Sequence, residues 1–313
     1  MGDKGVHQQP ILVTGAHRSG TTWVGKMLAA DRQVGYISEP LNVLHRQGVM
    51  NIVVDQWYTY ICSDNEVEYL PALQETLGYR YHVGAEIRSL RSMKDVLRMG
   101  RDWSAFLEGR LFNRRPLLKD PFAVFSAIWF ARRLGCAVVV VIRHPGAFVS
   151  SLARLEWNFN FKDLLNQPLL LRDWLEPYRA EMERLSSEPQ DLIDQGSMLW
   201  RMIYHSVLLM VQKAPEILIV RHEDLSVDPV VGFRQLFSSL HLEYTQRVEQ
   251  TILDSSKEQN PKELSKQSVH SVRLNSRANL GNWRRRLSEQ EIQRIHQITA
   301  GVADQFYSGE TWG

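Results

Sequence analysis

The segment from Gly15 to Trp23 has the residue types and spacing of an anion-binding loop. It reads Gly-Ala-His-Arg-Ser-Gly-Thr-Thr-Trp, follows a short apolar run at residues 11–13 and opens onto a helical pattern at residues 23–30. In a strand–turn–helix unit of this kind, successive backbone N–H groups and the positive end of the helix dipole converge on an anion. The sequence therefore predicts a site for a phosphate-like group at this turn.

The loop departs from the phosphate loop of nucleoside triphosphate enzymes at one position. Gly15 and Gly20 have the spacing of G-x-x-x-x-G-K-[ST], but Thr21 stands where the lysine is expected, and the cation comes earlier, at Arg18. In ATP and GTP enzymes that lysine reaches the outer phosphates, and an Asp after a strand helps to hold magnesium. The missing lysine indicates a different ligand.

A second cation follows the most apolar run of the chain. Residues Ala137–Ile142 lead into Arg143, and Ser151 lies eight positions later on a predicted helix at residues 146–156. A strand end and two helical turns can bring a guanidinium and a hydroxyl to the same anion. Two anion sites at one sheet edge predict a nucleotide with two separated acidic groups, neutralised by protein cations rather than by a metal ion.

The pattern of elements predicts the fold that must position these loops. Short β-type runs at residues 11–13, 34–37, 116–118, 137–142 and 217–220 alternate with helical patterns at residues 122–133, 146–156 and 230–240. The fourth run contains five consecutive β-branched residues without alternation, which is typical of a strand covered on both faces. We expect one α/β domain over residues 1–313, a three-layer sandwich with a mainly parallel central sheet of the P-loop type.

Two segments do not fit this alternation. Residues 42–115 and 158–197 are interpreted as mostly helical insertions over the carboxyl edge of the sheet, where ligands bind in such folds. The polar segment 255–279 is predicted to be a loop. An aromatic set could line an acceptor pocket or could equally be core packing: Trp57, Tyr58, Tyr60, Trp103 and Trp157.

Composition limits the class of protein. The chain has 313 residues, 44% of them apolar and 23% charged, with a net charge of +2, which is typical of a globular protein and argues against a nucleic-acid partner. Cys62 and Cys136 cannot form a disulfide framework, so a reducing compartment fits best. No signal peptide precedes the first strand and no apolar run could span a bilayer. We therefore expect a cytoplasmic protein without integral membrane association, and the oligomeric state stays open.

Together, these motifs resemble those of sulfotransferases that use 3′-phosphoadenosine 5′-phosphosulfate (PAPS). The segment at residues 15–23 is similar to their 5′-phosphosulfate loop, and residues 142–151 are similar to their 3′-phosphate motif. Residues 118–122, 220–225 and 277–284 continue the resemblance. It implies transfer of a sulfuryl group from PAPS to an acceptor hydroxyl without a metal ion, with adenosine 3′,5′-bisphosphate as product. The acceptor could be a glycan, a lipid, a small molecule or a tyrosyl peptide.

The resemblance also implies which residues bind the donor. Arg18 and the loop donors would hold the 5′-phosphate and the bridging oxygen, and Trp23 would border the adenine. Arg143 and Ser151 would bind the 3′-phosphate, with help from the closing basic segment. The family often has Tyr where this chain has His222. The predicted donor-binding residues are Arg18, Ser19, Gly20, Thr21, Thr22, Trp23, Arg143, Ser151, Arg277 and Arg284.

Catalysis would require a base for the acceptor hydroxyl. Glu39 lies twenty-one residues after Arg18, the spacing of the catalytic Glu in tyrosylprotein sulfotransferases, and Lys119 matches a lysine that those enzymes use near the sulfuryl group. The predicted catalytic residues are thus Glu39, Arg18 and Lys119. Glu39 could instead cap a helix and Lys119 could form a structural ion pair. His45 is the alternative base, because histidine is usual in cytosolic sulfotransferases.

Two other functions are compatible with such a loop. A degenerate P-loop kinase or nucleotide hydrolase would depend on magnesium and bind ATP. A non-catalytic module would bind adenosine 3′,5′-bisphosphate without sulfating any acceptor. The missing lysine and the cation at Arg143 favour the sulfotransferase interpretation over the first of these.

Overall fold

A five-stranded parallel sheet forms the centre of the protein. The computed structural model describes residues 9–187, 191–263, 272–307 and 312. The strands are β1 (Ile11–Gly15), β2 (Val34–Ser38), β3 (Arg115–Lys119), β4 (Ala137–Ile142) and β5 (Leu218–Arg221), in the spatial order β2-β3-β1-β4-β5. Every neighbouring pair is parallel.

Helices of very different length connect and cover these strands. They are α1 (Thr21–Leu28), α2 (Glu66–Leu77), α3 (Val83–Ser89), α4 (Met93–Leu111), α5 (Ala127–Arg133), α6 (Pro145–Leu155), α7 (Lys162–Leu165), α8 (Pro168–Leu170), α9 (Arg179–Ser187), α10 (Leu192–Lys213), α11 (His222–Val227), α12 (Pro229–Ser239), α13 (Gln246–Ser256), α14 (Ser276–Leu280), α15 (Asn282–Arg286) and α16 (Glu289–Ala303). Two 3-10 helices, Pro121–Ser126 and Glu176–Tyr178, and a π-helical turn at Leu171–Leu175 complete the described elements.

The sheet is covered on both faces, which confirms the predicted three-layer α/β class. In β4, Val138 and Val140 belong to one buried cluster with α6, α10 and α16, whereas Val139 and Val141 belong to a second cluster with α1, α12 and α13. Alternate side chains of a strand point to opposite faces. The continuous apolar run therefore reflects burial on both sides, as in other parallel sheets.

The first insertion is helical only in part. Helices α2 to α4 lie between residues 66 and 111, but residues 42–65 contain no helix or strand. Side chains from other segments accept the backbone N–H groups of this stretch: Gln167 Oε1 accepts from Tyr60 at 2.8 Å, and Ser126 Oγ accepts from Ile61 at 2.8 Å. Because these N–H groups are satisfied by distant partners, the stretch needs no helical bonds of its own.

Other predicted bounds shift modestly. The helix predicted at residues 122–133 begins as the 3-10 helix Pro121–Ser126 and continues as α5. The second insertion consists of short helical pieces from α7 to α9, followed by the first turns of α10. The segment 255–279 begins at the end of α13 and finishes in α14, and its residues 264–271 lie outside the described residues. No helix in the described ranges has the length and apolar character to cross a membrane.

Parallel strands bring the residues that follow them to one edge. Gly15 ends β1, and Glu39, Lys119, Arg143 and His222 end or directly follow the other four strands. The loop after β1 approaches β4 very closely, since a Cβ at Gly15 would lie 2.2 Å from the carbonyl oxygen of Val141. Gly15 also has φ of 140°, which L side chains rarely adopt.

We therefore predict that Gly15→Ala destabilises the fold by about 2–4 kcal/mol, because the methyl group forces β1 and β4 apart and strains the backbone. Chemical denaturation measures the free energy of unfolding. Gly301→Ala is the matched control, because no atom lies within 4 Å of a Cβ at that helical position. Equal stability of Gly15→Ala and the wild type would show that the close approach is not tight.

Candidate functional site

The loop after β1 is folded as a turn that leaves the start of α1 uncapped. Arg18 and Gly20 both have left-handed backbone angles, with φ of 68° and 97°. The Ser19 N–H and Oγ–H both donate to the carbonyl of Ala16, at 3.1 and 2.5 Å. No side chain caps α1, and no acidic residue lies in its first turn. The first N–H groups of α1 are thus available to an external anion.

The second predicted cation lies directly against this loop. Arg143 Nη1 donates to the carbonyl of Arg18 at 3.0 Å, and Arg18 Nε donates to Ser151 Oγ at 3.3 Å. Arg143 follows β4, and Ser151 lies on α6. The structure therefore brings together the two motifs that the sequence predicts, although they are 125 residues apart.

A cavity opens where these motifs meet. Both loops contribute to its walls, together with α6, α11 and the described residues on either side of 264–271. The lining residues are Arg18, Gly20, Thr21, Thr22, Trp23, Arg143, Ser151, Arg154, His222, Ser226, Ser255, Glu263, Val272, Leu274, Ser276, Asn279 and Arg286.

The cavity is strongly cationic. Four arginines line it, and Glu263 is the one carboxylate among its described lining residues; its Oε1 lies 2.7 Å from Arg286 Nη2 and 3.6 Å from Arg154 Nη1. Burial, the charge of Arg143 and the charge of Arg154 lower the pKa of Arg18 to about 10. Burial also lowers the pKa of Arg143. An anion in the cavity would relieve this repulsion and so bind favourably.

Arg143 Nε and His222 Nδ1 are buried at the cavity and have no hydrogen-bond partner among the described residues. Buried polar groups are normally paired, so an orphaned pair in one cavity points to a polar ligand. The absence of a side chain at Gly20 leaves room beside His222 Nδ1, because a Cβ at position 20 would lie 2.6 Å from that nitrogen. These features fit a nucleotide with anionic groups, since phosphate oxygens can accept a hydrogen bond from Arg143 Nε.

Helix α10 holds both loops in place. Trp200 Nε1 donates to the carbonyl of Arg143 at 2.8 Å, and Tyr204 Oη donates to the carbonyl of Val141 at 2.9 Å. Tyr204 Oη also accepts from the N–H of Ala16, at 3.2 Å. Both side chains are fully buried. Sequence reasoning missed these two residues, because nothing in the local pattern of α10 shows that its aromatic side chains reach carbonyls at the sheet edge.

The cavity does not include all predicted donor-binding residues. Ser19 uses both donors to close the turn. Arg277 is exposed and donates Nε to the carbonyl of Val227 at 2.8 Å, and the guanidinium of Arg284 lies 4.5 Å from the ring centroid of Trp283. Their roles stay predictions. Arg154 and Arg286 line the cavity instead, and sequence reasoning missed both. Arg154 lies three residues after Ser151, one turn along the same helix, which is the signal that identifies it.

Trp23 lies at the wall of the cavity. Its ring packs edge-on to His222, with centroids 5.5 Å apart, and to Phe233, at 5.1 Å. Its Nε1 donates to Ser255 Oγ at 2.9 Å, which joins α1 to α13. Trp23 is thus both a packed residue and a lining residue.

The two predicted catalytic residues outside the loop form an ion pair. Lys119 Nζ contacts Glu39 Oε1, and Asn42 Nδ2 donates to Glu39 Oε2 at 2.7 Å. Ser38 at the end of β2 is in register with Lys119 at the end of β3. Lys119 is buried, whereas the Glu39 side chain keeps 28% of its surface exposed. Glu39 also has φ of 49°, a strained value for a non-glycine residue.

Asp120 fixes the backbone beneath this pair. Its oxygens accept the N–H groups of Leu41 at 2.6 Å and Phe122 at 2.9 Å, which ties the turn after β2 to the turn after β3. Burial, and then the charge of Glu39, raise the pKa of Asp120 to about 7. A carboxyl group that is buried beside a second carboxylate resists ionisation for both reasons.

His17 lies in the loop beside Arg18 and was not predicted. Its Nδ1 is 2.6 Å from Tyr58 Oη, and its backbone N–H donates to the same oxygen at 3.3 Å. Because Tyr58 is fully buried, its hydroxyl proton needs an acceptor, and Nδ1 is the one that the described residues offer. This assigns the proton of the neutral ring to Nε2.

The ring of His17 is neutral, and its pKa responds to the charges of both Arg18 and Glu39. Burial, and then the charge of Arg18, lower its pKa to about 4, while the charge of Glu39 acts in the opposite direction. The ring lies among Phe122, Phe148 and Trp157, with centroid distances from 5.7 to 6.2 Å. His17 is therefore a neutral N–H donor near both the loop cation and the Glu39 carboxylate.

Two further histidines, His45 and His144, have other partners. Both ring nitrogens of His45 face backbone carbonyl oxygens, Nδ1 that of Asn42 at 2.9 Å and Nε2 that of Met50 at 3.0 Å. A base must present a nitrogen lone pair to the acceptor, and His45 has neither nitrogen free for that purpose. Burial lowers the pKa of His144 to about 3, and its Nδ1 accepts the Gly146 N–H as the cap of α6.

Solved structures of similar fold include several sulfotransferases. The sulfotransferase domain from the Synechococcus PCC 7002 olefin synthase has 16% identity and a TM-score of 0.46, with 97% of each chain covered. Sulfotransferase STF9 from Mycobacterium avium has 13% identity and a TM-score of 0.46, covering 97% of this chain and 78% of that one. Mouse sulfotransferase SULT7A1, complexed with PAP, has 10% identity and a TM-score of 0.42, covering 97% and 86%.

Sequence comparison identifies the family. No curated protein matches the chain. The sequence model of the Sulfotransferase family matches residues 10–247, which is well over half of the chain and includes both anion-binding motifs and the Glu39–Lys119 pair. The protein is a member of the Sulfotransferase family.

Proposed function

We propose that this protein transfers a sulfuryl group from PAPS to an acceptor hydroxyl without a metal ion. The observation that carries the proposal is the contact between the two motifs, in which Arg143 donates to the carbonyl of Arg18 beside Ser151 while its Nε remains unpaired among the described residues. One cavity with two groups of cations suits a ligand with two separated anionic groups.

The residues divide between the two ends of the donor. Arg18 and the uncapped start of α1 would hold the 5′-phosphosulfate, with hydroxyl donors from Thr21 and Thr22. Arg143 and Ser151 would hold the 3′-phosphate. Arg154 and Arg286 line the same cavity and add positive charge, which supports their inclusion, while Trp23 and His222 would border the adenine.

Glu39 is the proposed general base. In the reaction the acceptor oxygen forms a bond to sulfur, the bond from sulfur to the 5′-phosphate oxygen breaks, and the hydroxyl proton passes to Glu39. Negative charge develops on the departing oxygen, which Arg18 and Lys119 would stabilise. The partial exposure of Glu39 and the bonded state of both His45 nitrogens support Glu39 over His45.

The other functions account for fewer features. A kinase or hydrolase requires the loop lysine that Thr21 replaces. A non-catalytic module explains the cationic cavity but not the Glu39–Lys119 pair, which the fold holds in a strained turn at the same sheet edge. The reduced, buried thiols of Cys62 and Cys136 support a reducing compartment, and we keep the cytoplasm as the proposed location.

Donor binding is tested by thermal shift. We expect adenosine 3′,5′-bisphosphate to stabilise the protein by about 2.7 kcal/mol at a hundredfold excess over its Kd, and 5′-AMP or ATP–magnesium at the same concentration to stabilise it less. Arg143→Ala should remove most of the preference for the bisphosphate over 5′-AMP. Arg132→Ala is the matched control, because its exposed guanidinium donates to the carbonyl of Lys213, outside the cavity. Equal shifts with the bisphosphate and 5′-AMP on the wild type would contradict a 3′-phosphate site.

The base is tested by turnover with labelled PAPS. Glu39→Gln should lower kcat by about 10²–10⁴ because the amide cannot accept the proton, while the thermal shift with bisphosphate stays the same. His45→Gln should keep kcat within a few-fold of the wild-type value. Turnover in Glu39→Gln that is close to normal would remove Glu39 from the mechanism, and PAPS binding without turnover on any acceptor would favour the non-catalytic module.

His17 is tested by a pair of substitutions. We propose that the neutral His17 ring uses its Nε2–H as a hydrogen-bond donor in the reaction. His17→Ala removes this donor and should lower kcat about 10²-fold. His17→Gln restores an N–H donor and should recover much of the activity. Because the pKa of His17 is about 4, the ring stays neutral above pH 5 and contributes no inflection there. The kcat–pH profile of His17→Gln should therefore match that of the wild type above pH 5. A lost acid limb in that variant would show that His17 itself is the titrating base.

A further inference from the structure

Exposed apolar side chains are concentrated in one part of the chain. Of the sixteen large hydrophobic residues that are exposed among the described residues, twelve lie between residues 44 and 112. Nine of them belong to α3, to α4 or to their ends, and we call the surface they form the α3–α4 surface: Val83, Ile87, Met93, Val96, Leu97, Trp103, Leu107, Leu111 and Phe112.

Helical spacing aligns these residues on one side of α4. The spacings between Met93, Leu97, Leu107 and Leu111 are close to whole numbers of helical turns, so these side chains lie on the same face of α4. Trp103 lies beside them. The opposite side carries the two buried residues of the helix, Phe106 and Gly109. With nineteen residues, α4 presents an apolar stripe about 28 Å long.

The inner side of α4 already accounts for its packing within the protein. Phe106 meets the rings of Tyr79 and Tyr81, with centroids 5.9 and 5.4 Å apart, and α4 lies against β2 at the edge of the sheet. The core therefore does not use the outer stripe. An apolar patch of this extent on a surface that is otherwise polar indicates an interaction site.

The charges around the stripe are mainly positive. Residues 83–114 contain seven Lys and Arg and four Asp and Glu, a net charge of +3, compared with +2 for the whole chain. Two of the four acids, Glu86 and Asp102, form ion pairs with Arg46, which lies outside the segment. Four of the cations are exposed and make no ion pair with a described carboxylate: Arg88, Arg91, Lys94 and Arg110.

From these observations we propose that the α3–α4 surface binds the surface of a membrane that contains anionic phospholipids. A helix with Leu, Met and Trp on one side and Lys and Arg around it lies in the plane of a bilayer interface, where the apolar side chains enter the acyl boundary and the cations meet the headgroups. This proposal does not depend on the proposed sulfuryl transfer.

Charge complementarity favours a membrane over a second copy of the chain. A two-fold interface through this surface would place the same basic residues of both copies around one apolar patch, and like charges would oppose each other. Anionic headgroups provide the opposite charge along the whole stripe. Anionic phospholipid is therefore the occupant that the charge pattern supports.

The surface is also tied to the segment that carries Glu39. Arg46, seven residues after Glu39, contacts Glu86 and donates Nη2 to the carbonyl of Asp95 at 3.2 Å. Exposed Leu44 lies in the same segment. A membrane bound at the α3–α4 surface would thus contact a part of the protein that is linked through Arg46 to the segment carrying Glu39, the proposed base.

Vesicle co-sedimentation of the full chain tests the proposal. We expect at least tenfold tighter binding to phosphatidylcholine vesicles containing phosphatidylglycerol than to phosphatidylcholine alone, weakening as salt is raised. The double substitution Leu97→Gln with Leu107→Gln should reduce binding about tenfold or more, and Lys94→Gln with Arg110→Gln should reduce the preference for anionic vesicles about tenfold. Val231→Gln with Leu253→Gln is the matched control, since both residues are exposed on helices elsewhere.

Three results would overturn the proposal. One is absence of binding of the wild type to anionic vesicles, and another is binding by the double Leu variant that equals that of the control. The third is a dimer in solution that the double Leu variant dissociates while no vesicle binds, which would assign the surface to a second copy. Thermal unfolding and the shift with bisphosphate, measured on every variant, separate these results from misfolding and from failure of the donor proposal.

Discussion

The guanidinium of Arg143, held against the backbone of Arg18 at the edge of the sheet, is the constraint on which the site depends. Arg143 donates to the backbone of Arg18, Arg18 reaches Ser151, and Arg154 and Arg286 line the same cavity. Like charges at close range in a partly buried site repel, and burial removes the water that would screen them. Two features of the fold hold these groups in place: the close approach of β1 to β4 at Gly15, and the hydrogen bonds from α10 to both loops. An anion bound in the cavity would relieve the repulsion between the arginines and so stabilise this arrangement.

The remainder of the site follows from the parallel sheet. The loops after β1 and β4 supply the cationic residues, and the turns after β2 and β3 supply the Glu39–Lys119 pair, so the proposed donor and acceptor functions lie on neighbouring strand ends. His17 lies between them, and its pKa responds to the charges of both halves. A neutral ring in this position can donate a hydrogen bond without adding to the positive charge, which a cationic histidine would do. Asp120 then fixes the two turns beneath the pair through backbone N–H groups.

Several residues could not have been placed from the sequence. The basic segment at residues 277–284 is predicted to help bind the 3′-phosphate, yet Arg286, just beyond it, lines the cavity whereas Arg277 and Arg284 lie outside it. Which arginine of a basic run faces inward depends on the short helices α14 and α15, whose orientation is set by packing. His45 is similar: its residue type suits a base, but hydrogen bonds to two carbonyls occupy its ring. The irregular stretch at residues 42–65 is held by Gln167 and Ser126, which no local pattern reveals.

The amino-acid sequence was enough to predict the parallel sheet, the two loops with the spacing of anion-binding motifs and their order, because apolar runs, glycine spacing and cations at strand ends act locally. It also placed Glu39 and Lys119 at the same edge, since parallel strands must end together. The packed structure was needed to show that Arg18 and Arg143 are in contact, that Arg154 and Arg286 line the cavity, and that His17 is neutral. Contact, burial and tautomer are properties of groups far apart in the chain, and they exist only after the layers pack.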